Sequence, residues 1–133
     1  MKIYLASPLF TDEEKKNIEY IASGLRAVGM DVYVPMEHTV ENAWDLPNNV
    51  WANKVFEEDV RAIREADWVV AITYGMIDDA GTAWEIGFAY ALGKRIAVVP
   101  INTTTYSLMV FQSATAICSK NGQEIPRCSF LQS

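Results

Sequence analysis

Residues that form disulfides or bind metals are scarce in this chain. It has two cysteines, Cys118 and Cys128, and one histidine, His38, among 133 residues. Two cysteines without a second pair or a histidine cluster make neither a disulfide framework nor a zinc site. We therefore expect both to be structural thiols, and we expect no bound metal and no cofactor.

Basic residues are in the minority. Eleven Lys and Arg stand against 17 Asp and Glu, which gives a net charge of -6. A chain of this charge has no general attraction to the phosphates of a nucleic acid or to an anionic membrane surface. Neither nucleic acid nor membrane is an expected partner.

Long hydrophobic runs are absent as well. The longest apolar runs, Trp68–Ile72 and Ile96–Ile101, have the length of strands, and only four residues precede Ser7 as a short apolar run at the N-terminus. Such runs are too short for a signal peptide or a membrane span, so we expect a cytoplasmic protein. Half of the residues are apolar and 21% are charged, which is ordinary for one globular domain.

Short β-branched runs alternate with amphipathic stretches of helical length, a pattern typical of βαβ units. Strands are predicted over Lys2–Ala6, Asp31–Val34, Trp68–Thr73, Arg95–Ile101 and Ala116–Cys118. Helices are predicted after the Thr11 capping box, over 50–65, from Gly81 to Gly93 and over 104–113. The fold class predicted is α/β: a single-domain, doubly wound, flavodoxin-like sheet of five parallel strands in the order 2-1-3-4-5, with helices on both faces.

The predicted domain covers residues 1–119, and residues 120–133 form a polar C-terminal tail without a predicted element. The segment 36–49 is polar and longer than a typical connection, which is typical of a loop that covers a site. Ligands of doubly wound folds bind beyond the carboxyl ends of the strands. In this chain those ends carry acidic residues and lack the glycine-rich motifs that bind dinucleotides or nucleoside triphosphates.

The most distinctive segment, 78–85, places carboxylates on both sides of a strand-to-helix turn. Glu85 is expected in or near the first helical turn, where the free N–H groups favour a carboxylate anion that suits a nucleophile. A surface glutamate that only stabilises the helix dipole is an equal alternative on position alone. Gly81 permits close approach of a ligand.

Three further residues each have a structural and a functional interpretation. Asp59 ends an acidic run that is typical of a solvated helix face. Asp79 is also an expected helix N-cap, and Tyr4 is also an expected core tyrosine. None of the three is decisive on its own.

Together these residues carry a resemblance. The segments Lys2–Phe10, Phe56–Asp59 and Asp79–Ala89, with the turn at 107–109, resemble the nucleoside 2-deoxyribosyltransferase family over about residues 2–112. The resemblance implies a retaining transfer that exchanges nucleobases on 2-deoxyribose. Its implied partners are a small-molecule deoxynucleoside and a free nucleobase.

The resemblance also implies roles for individual residues. Glu85 attacks the anomeric carbon, Tyr4 orients Glu85, and Asp59 interacts with the base and its proton. Asp79 binds the sugar 5′-hydroxyl together with Ser107 of a neighbouring subunit, which implies a homo-oligomer of at least two chains. Weaker candidates for contact with the substrate are Phe10, His38, Thr39 and Gly81.

Ser107 departs from the family pattern, in which this position is usually Asn. Related deoxynucleoside 5′-monophosphate N-glycosidases have Ser there, but they lack an acidic residue at the position of Asp79, whose charge is unfavourable to a phosphate dianion. The sequence therefore favours free nucleosides. Two alternatives stay open: an N-glycosidase that hydrolyses a deoxynucleoside or its 5′-monophosphate, and a non-catalytic nucleoside-binding protein in which Glu85 is only a carboxylate at a helix start.

Overall fold

The fold is a single parallel sheet with helices on both faces. The computed structural model describes residues 1–38, 47–75, 79–103, 105 and 107–126. The strands are β1 (Lys2–Ala6), β2 (Asp31–Tyr33), β3 (Trp68–Thr73), β4 (Arg95–Pro100) and β5 (Ala116–Ile117), and all their pairings are parallel. Their order is β2-β1-β3-β4-β5, which confirms the predicted topology.

The helices are α1 (Asp12–Ala27), α2 (Asn48–Glu65), α3 (Ala80–Ala91) and α4 (Leu108–Ser113), and a 3₁₀ helix follows β2 at Pro35–Glu37. Thr11 and Glu14 form the predicted capping box of α1. Gly29 and Gly93 have φ angles of 90° and 74° just beyond α1 and α3, where only glycine adopts such angles without strain. The last helix begins at Leu108, four residues after its predicted start.

The sheet separates two apolar cores because successive side chains of a strand point to opposite faces. On one face α2, α3 and α4 pack over Tyr4, Val69 and Ile96. On the other face α1 packs over Ile3 and Leu5. The helices predicted for both faces are therefore present, and Tyr4 projects towards the side of α2 and α3.

Beyond β5 the chain turns back on itself. Cys118 pairs with Glu124 in an antiparallel bridge, and the N–H of Ile125 donates to the carbonyl of Ile117 over 2.7 Å. The first part of the predicted polar tail is thus attached to the sheet edge, and residues 127–133 lie outside the described part of the chain. Within the described residues, no helix combines the length and the apolar character that a bilayer crossing requires.

Candidate active site

A small cavity opens at the carboxyl ends of β1 and β2, beside α2 and the start of α3. It has a volume of about 130 Å³ and is lined by three carboxylate side chains, those of Asp59, Asp79 and Glu85. Ser7 and Phe10, from the segment after β1, form another wall. The topology thus collects at one sheet edge the acidic residues that the sequence placed in separate segments.

Tyr4 and Glu85 meet directly beside this cavity. Tyr4 is completely buried in the middle of β1, and its hydroxyl donates a hydrogen bond to Oε2 of Glu85 on α3. Burial and the charges of Glu85 and Asp59 all raise the pKa of Tyr4, so the phenol stays protonated and remains a donor. The structure therefore brings together the two residues whose partnership the family resemblance implied.

Glu85 lies in the second turn of α3, near the first turn but not in it. The helix begins at Ala80, so Glu85 is beyond the terminal N–H groups that stabilise an anion. Burial instead raises its pKa to about 7, the carboxylates of Asp59 and Asp79 add to that rise, and the hydrogen bond from Tyr4 opposes it. The environment of Glu85 is thus set by burial and by Tyr4, and not by the helix dipole.

Asp59 is partly buried on α2 and is not part of a solvated face. Burial raises its pKa to about 6, the neighbouring Glu58 carboxylate adds to the rise, and the charge of His38 opposes it. A carboxyl group with this pKa is protonated in about half of the molecules at about pH 6 and in about a tenth of them at about pH 7. Such a group can exchange a proton with a ligand in the cavity.

Asp79 has both of the roles that the sequence left open. It is the N-cap of α3, and its Oδ2 accepts hydrogen bonds from the N–H of Thr82 over 2.9 Å and from the hydroxyl of Thr82 over 3.0 Å. The same side chain lines the cavity. Its capping contacts therefore hold a negative charge at a fixed place in the cavity wall.

The weaker candidates are distributed around the site. Phe10 is exposed and lines the mouth of the cavity, whereas Gly81 lines a neighbouring groove between α2 and α3. His38 does not line the cavity and stacks on Tyr33. Ser107 lines a groove between α3 and α4 that Glu85 does not line. Thr39 lies outside the described residues.

The groove between α2 and α3 adjoins the site on its outer side. It has a volume of about 430 Å³, is lined by Trp51, Phe56 and Trp84, and shares Asp59 and Glu85 with the smaller cavity. Phe56 and Ile63 have the sequence spacing of one helical face, yet Ile63 is buried and Phe56 is 52% exposed. Both carboxylates thus border an acidic cavity on one side and an aromatic groove on the other.

Sequence reasoning missed Tyr33. This residue pairs with Tyr4 in the register of the parallel strands, and the two rings stack with their centroids 5.7 Å apart. The feature that could have identified Tyr33 is its position opposite Tyr4, at the end of the second strand. That position can be recognised only when the pairing register of the two strands is known.

Within the described part of the chain, no group of three or more His, Cys, Asp and Glu side chains is arranged to hold a metal ion. The three cavity carboxylates are side chains of the kind that serves as acid, base or nucleophile. That no metal or cofactor is required stays a prediction.

Known proteins resemble this chain in both sequence and fold. A sequence model of the nucleoside 2-deoxyribosyltransferase family matches residues 3–124. The fold matches the structure of a 2-deoxyribosyltransferase from Bacillus psychrosaccharolyticus with a TM-score of 0.82 and 34% sequence identity, over 88% of this chain and 85% of that chain.

Two further similar proteins have the name of a hydrolase or a glycosidase. A protein of Thermofilum pendens, provisionally named a 2′-deoxynucleoside 5′-phosphate N-hydrolase, is 28% identical over 103 residues, which is 76% of this chain and 68% of that protein. A CMP N-glycosidase from Clostridium botulinum has the same fold, with a TM-score of 0.64 and 23% identity over 91% of this chain and 90% of that chain. The proteins that this chain resembles in sequence therefore bear both transferase and hydrolase names.

Proposed function

The chain belongs to the nucleoside 2-deoxyribosyltransferase family, and from this premise we propose that it exchanges nucleobases on 2-deoxyribose through a covalent intermediate on Glu85. The observation that carries the proposal is the hydrogen bond from the buried Tyr4 hydroxyl to Glu85, beside a cavity that Asp59 also lines. A nucleophile, the group that orients it and a group able to exchange a proton are thus within one site.

The first half-reaction breaks the glycosidic bond. A carboxylate oxygen of Glu85 attacks C1′ of the deoxynucleoside, the C1′–N bond electrons leave with the base, and Asp59 supplies the proton that the departing base takes up. Positive charge develops on the sugar in the transition state, and the carboxylates lining the cavity stabilise it.

The second half-reaction reverses these steps with another base. A ring nitrogen of the incoming base attacks C1′, the bond to the Glu85 oxygen breaks, and the proton of that nitrogen passes to Asp59. Two inversions at C1′ give retention. Tyr4 stays protonated throughout and keeps the leaving carboxylate of Glu85 in position.

Hydrolysis is the second candidate, because the relative from Thermofilum pendens bears a hydrolase name. In that reaction water takes the place of the incoming base and resolves the same intermediate.

The charge of the cavity favours a nucleoside over a 5′-monophosphate as donor. Asp59, Asp79 and Glu85 all line it, and they disfavour a phosphate dianion.

A homo-oligomer is part of the proposal. Trp84, Leu108 and Met109 expose large apolar surfaces on α3 and α4, and such patches are typical of subunit interfaces. Ser107 directly precedes Leu108 and lines a groove between α3 and α4 that the Glu85 of its own chain does not line. This placement supports a role for Ser107 at the site of a neighbouring subunit, with the 5′-hydroxyl that Asp79 binds.

The test mixes the purified protein with 2′-deoxyinosine and free adenine and separates the products by chromatography. We expect 2′-deoxyadenosine with the wild type and with Glu57→Gln, an exposed carboxylate near Asp59 that serves as the control. We expect none with Glu85→Ala. Hypoxanthine without a new nucleoside identifies a hydrolase, and the absence of both products, with pyrimidine donors and the 5′-monophosphate as well, contradicts the proposed catalysis.

A further inference from the structure

Three aromatic rings form a column that ends at Glu85. His38 stacks on Tyr33 with ring centroids 4.1 Å apart and an interplanar angle of 7°. Tyr33 in turn stacks on Tyr4 with centroids 5.7 Å apart and an angle of 13°. The hydroxyl of Tyr4 then donates to Glu85. Tyr33 is thus the central ring of the column.

Local structure explains how the column is built. Tyr33 is the last residue of β2 and lies opposite Tyr4 in the strand pairing, so both side chains project to the same side of the sheet. The 3₁₀ helix at Pro35–Glu37 then turns the chain, and the N–H of His38 donates to the carbonyl of Pro35 over 3.0 Å. This turn returns the ring of His38 to the outer face of Tyr33.

The position of the Tyr4 ring matters because a phenol has only two side-chain torsions with which to reach a fixed acceptor. A change of the Tyr4 side chain to another χ1 rotamer moves its hydroxyl out of reach of Glu85. Tyr33 is partly buried against the same core and covers one face of the Tyr4 ring. Stacked pairs at such distances have a preferred geometry in addition to their buried area.

We propose that Tyr33 is a positioning residue, whose ring holds Tyr4 in the orientation in which its hydroxyl bonds the Glu85 carboxylate. The inference rests on the proposed function, because it gives this hydrogen bond a role in turnover. Tyr33 does not itself line the cavity, and its ring contacts among the described residues are with Tyr4 and His38, so it acts through Tyr4.

The surroundings of Tyr33 fit this role. Burial raises its pKa to about 12, the charges of Asp59 and Glu58 add to the rise, and the charge of Arg61 opposes it. The phenol therefore stays neutral over the working range of an enzyme and brings no charge of its own to the carboxylates. Its ring stacks on the ring of Tyr4, and its phenol also helps to raise the pKa of Tyr4.

The test compares Tyr33→Phe, which keeps the ring, with Tyr33→Leu, which removes it. Tyr20→Leu is the matched control, because Tyr20 is an exposed tyrosine on α1 whose hydroxyl bonds Asn121, on the far face of the sheet. Base exchange is measured as kcat and KM. We expect Tyr33→Leu to lower kcat by about tenfold or more while KM changes by less than about threefold, and we expect Tyr33→Phe and Tyr20→Leu to stay within about twofold of wild type.

Crystal structures of the same variants provide a readout independent of activity. The Tyr4 hydroxyl is expected to bond Glu85 in Tyr33→Phe and to lose that contact in Tyr33→Leu. Tyr33→Met replaces the leucine variant if the latter does not fold, since its flexible side chain also removes the ring.

An unchanged Tyr4–Glu85 contact in the ring-deleted variant overturns the proposal, as does a kcat equal to that of wild type. An equal loss of kcat in Tyr33→Phe and Tyr33→Leu overturns it too, because the hydroxyl would then be the active part. Absence of turnover in the wild type contradicts the proposed function alone, and the crystal structures then decide the position of Tyr4.

Discussion

The hydroxyl of Tyr4 bonds the carboxylate of Glu85 across 81 positions of sequence. One partner lies in the first strand and is completely buried, and the other lies in the second turn of α3. Burial raises the pKa of Glu85, and this hydrogen bond works against that effect. Tyr4 therefore keeps the carboxylate both in position and available as an anion, which links the packing of the sheet to the proposed chemistry.

Replacing Tyr4 by Phe is expected to shift the pH dependence of turnover. Loss of the hydrogen bond removes the interaction that lowers the pKa of Glu85, so this pKa rises above about 7. Because the nucleophile must be ionised, the acid limb of the profile of kcat/KM moves to higher pH, and kcat near neutral pH falls by about tenfold or more. Tyr20→Phe is the control, and a limb that moves to lower pH contradicts the prediction.

Replacing Glu85 by Gln is expected to abolish base exchange and to stabilise the fold at alkaline pH. The pKa of Glu85 is raised from 4.5 to about 7 in the folded chain, so the folded state binds its proton more tightly than the unfolded state. Stability therefore falls as pH rises from about 4.5 to about 7, and the variant lacks this loss. We expect a gain of about 1 to 3 kcal/mol at about pH 8 and almost none below about pH 4.

Urea unfolding of wild type and Glu85→Gln at the two pH values measures this gain. Glu57→Gln, at an exposed site on α2, is the matched control. Equal unfolding free energies for wild type and Glu85→Gln at alkaline pH would show that Glu85 is well solvated, and burial would then not be the cause of its raised pKa.

Replacing Asp59 by Asn is expected to lower kcat by an amount that depends on the leaving group of the donor. The variant loses the proposed proton donor, so kcat falls by about a hundredfold for a deoxynucleoside whose base leaves poorly. A p-nitrophenyl 2-deoxyriboside, whose leaving group needs no proton, keeps most of its rate. Equal losses for both donors contradict a proton-transfer role for Asp59.

The same variant tests the electrostatic coupling of the two carboxylates. The charge of Asp59 helps to raise the pKa of Glu85. Its removal lowers that pKa, so the acid limb of the rate profile of the p-nitrophenyl donor moves to lower pH, opposite in sign to the shift expected for Tyr4→Phe. A limb that does not move shows that the two groups titrate independently.

Two replacements of Asp79 separate its structural role from its charge. Ser is also a good N-cap, so Asp79→Ser is expected to keep the stability of α3, whereas Asp79→Ala loses about 1 kcal/mol. Both remove a negative charge from the cavity and are expected to raise the ratio of kcat/KM for a 5′-monophosphate over that for the nucleoside. A ratio unchanged in Asp79→Ser contradicts the electrostatic exclusion of phosphate.

Thr73 and Thr82 allow a matched comparison of how two buried hydroxyls affect the stability of the fold. Both are buried, but the hydroxyl of Thr82 bonds Asp79, whereas within the described residues the hydroxyl of Thr73 has no hydrogen-bond partner. Thr73→Val removes an unsatisfied group and is expected to stabilise the fold by up to about 1 kcal/mol, and Thr82→Val to destabilise it by about 1 to 2 kcal/mol. Chemical unfolding measures both, and destabilisation by Thr73→Val shows that its hydroxyl has a partner such as ordered water.

Much of the fold was predictable because its signals are local. The alternation of β-branched runs with amphipathic stretches predicted the strand order, and the boundaries of β1 and β3 agree with the sequence pattern residue by residue. The capping box at Thr11 and Glu14 was predictable for the same reason, since all its atoms belong to one turn. The bounds of α4 were less predictable, because a short helix carries little periodicity.

The candidate site was predictable only in part. Its residues were named through their segments, but their environments depend on neighbours distant in sequence. Asp59 was open to a solvated-face and to a functional interpretation, and only the packing of α2 against β1 shows that it is partly buried. The role of Tyr33 depends on the register of β1 with β2, which no local pattern contains.

The sequence by itself determined the doubly wound topology and the set of acidic residues at the carboxyl edge of the sheet. Hydrophobic periodicity and helix-start signals depend on residues that are close in sequence, so they can be recognised in the sequence alone. Only the tertiary structure decided which carboxylates are buried, that Glu85 lies beyond the first turn of α3, and that Tyr4 reaches it. Desolvation and hydrogen bonding depend on atoms brought together from distant segments, so they exist only once the chain has folded.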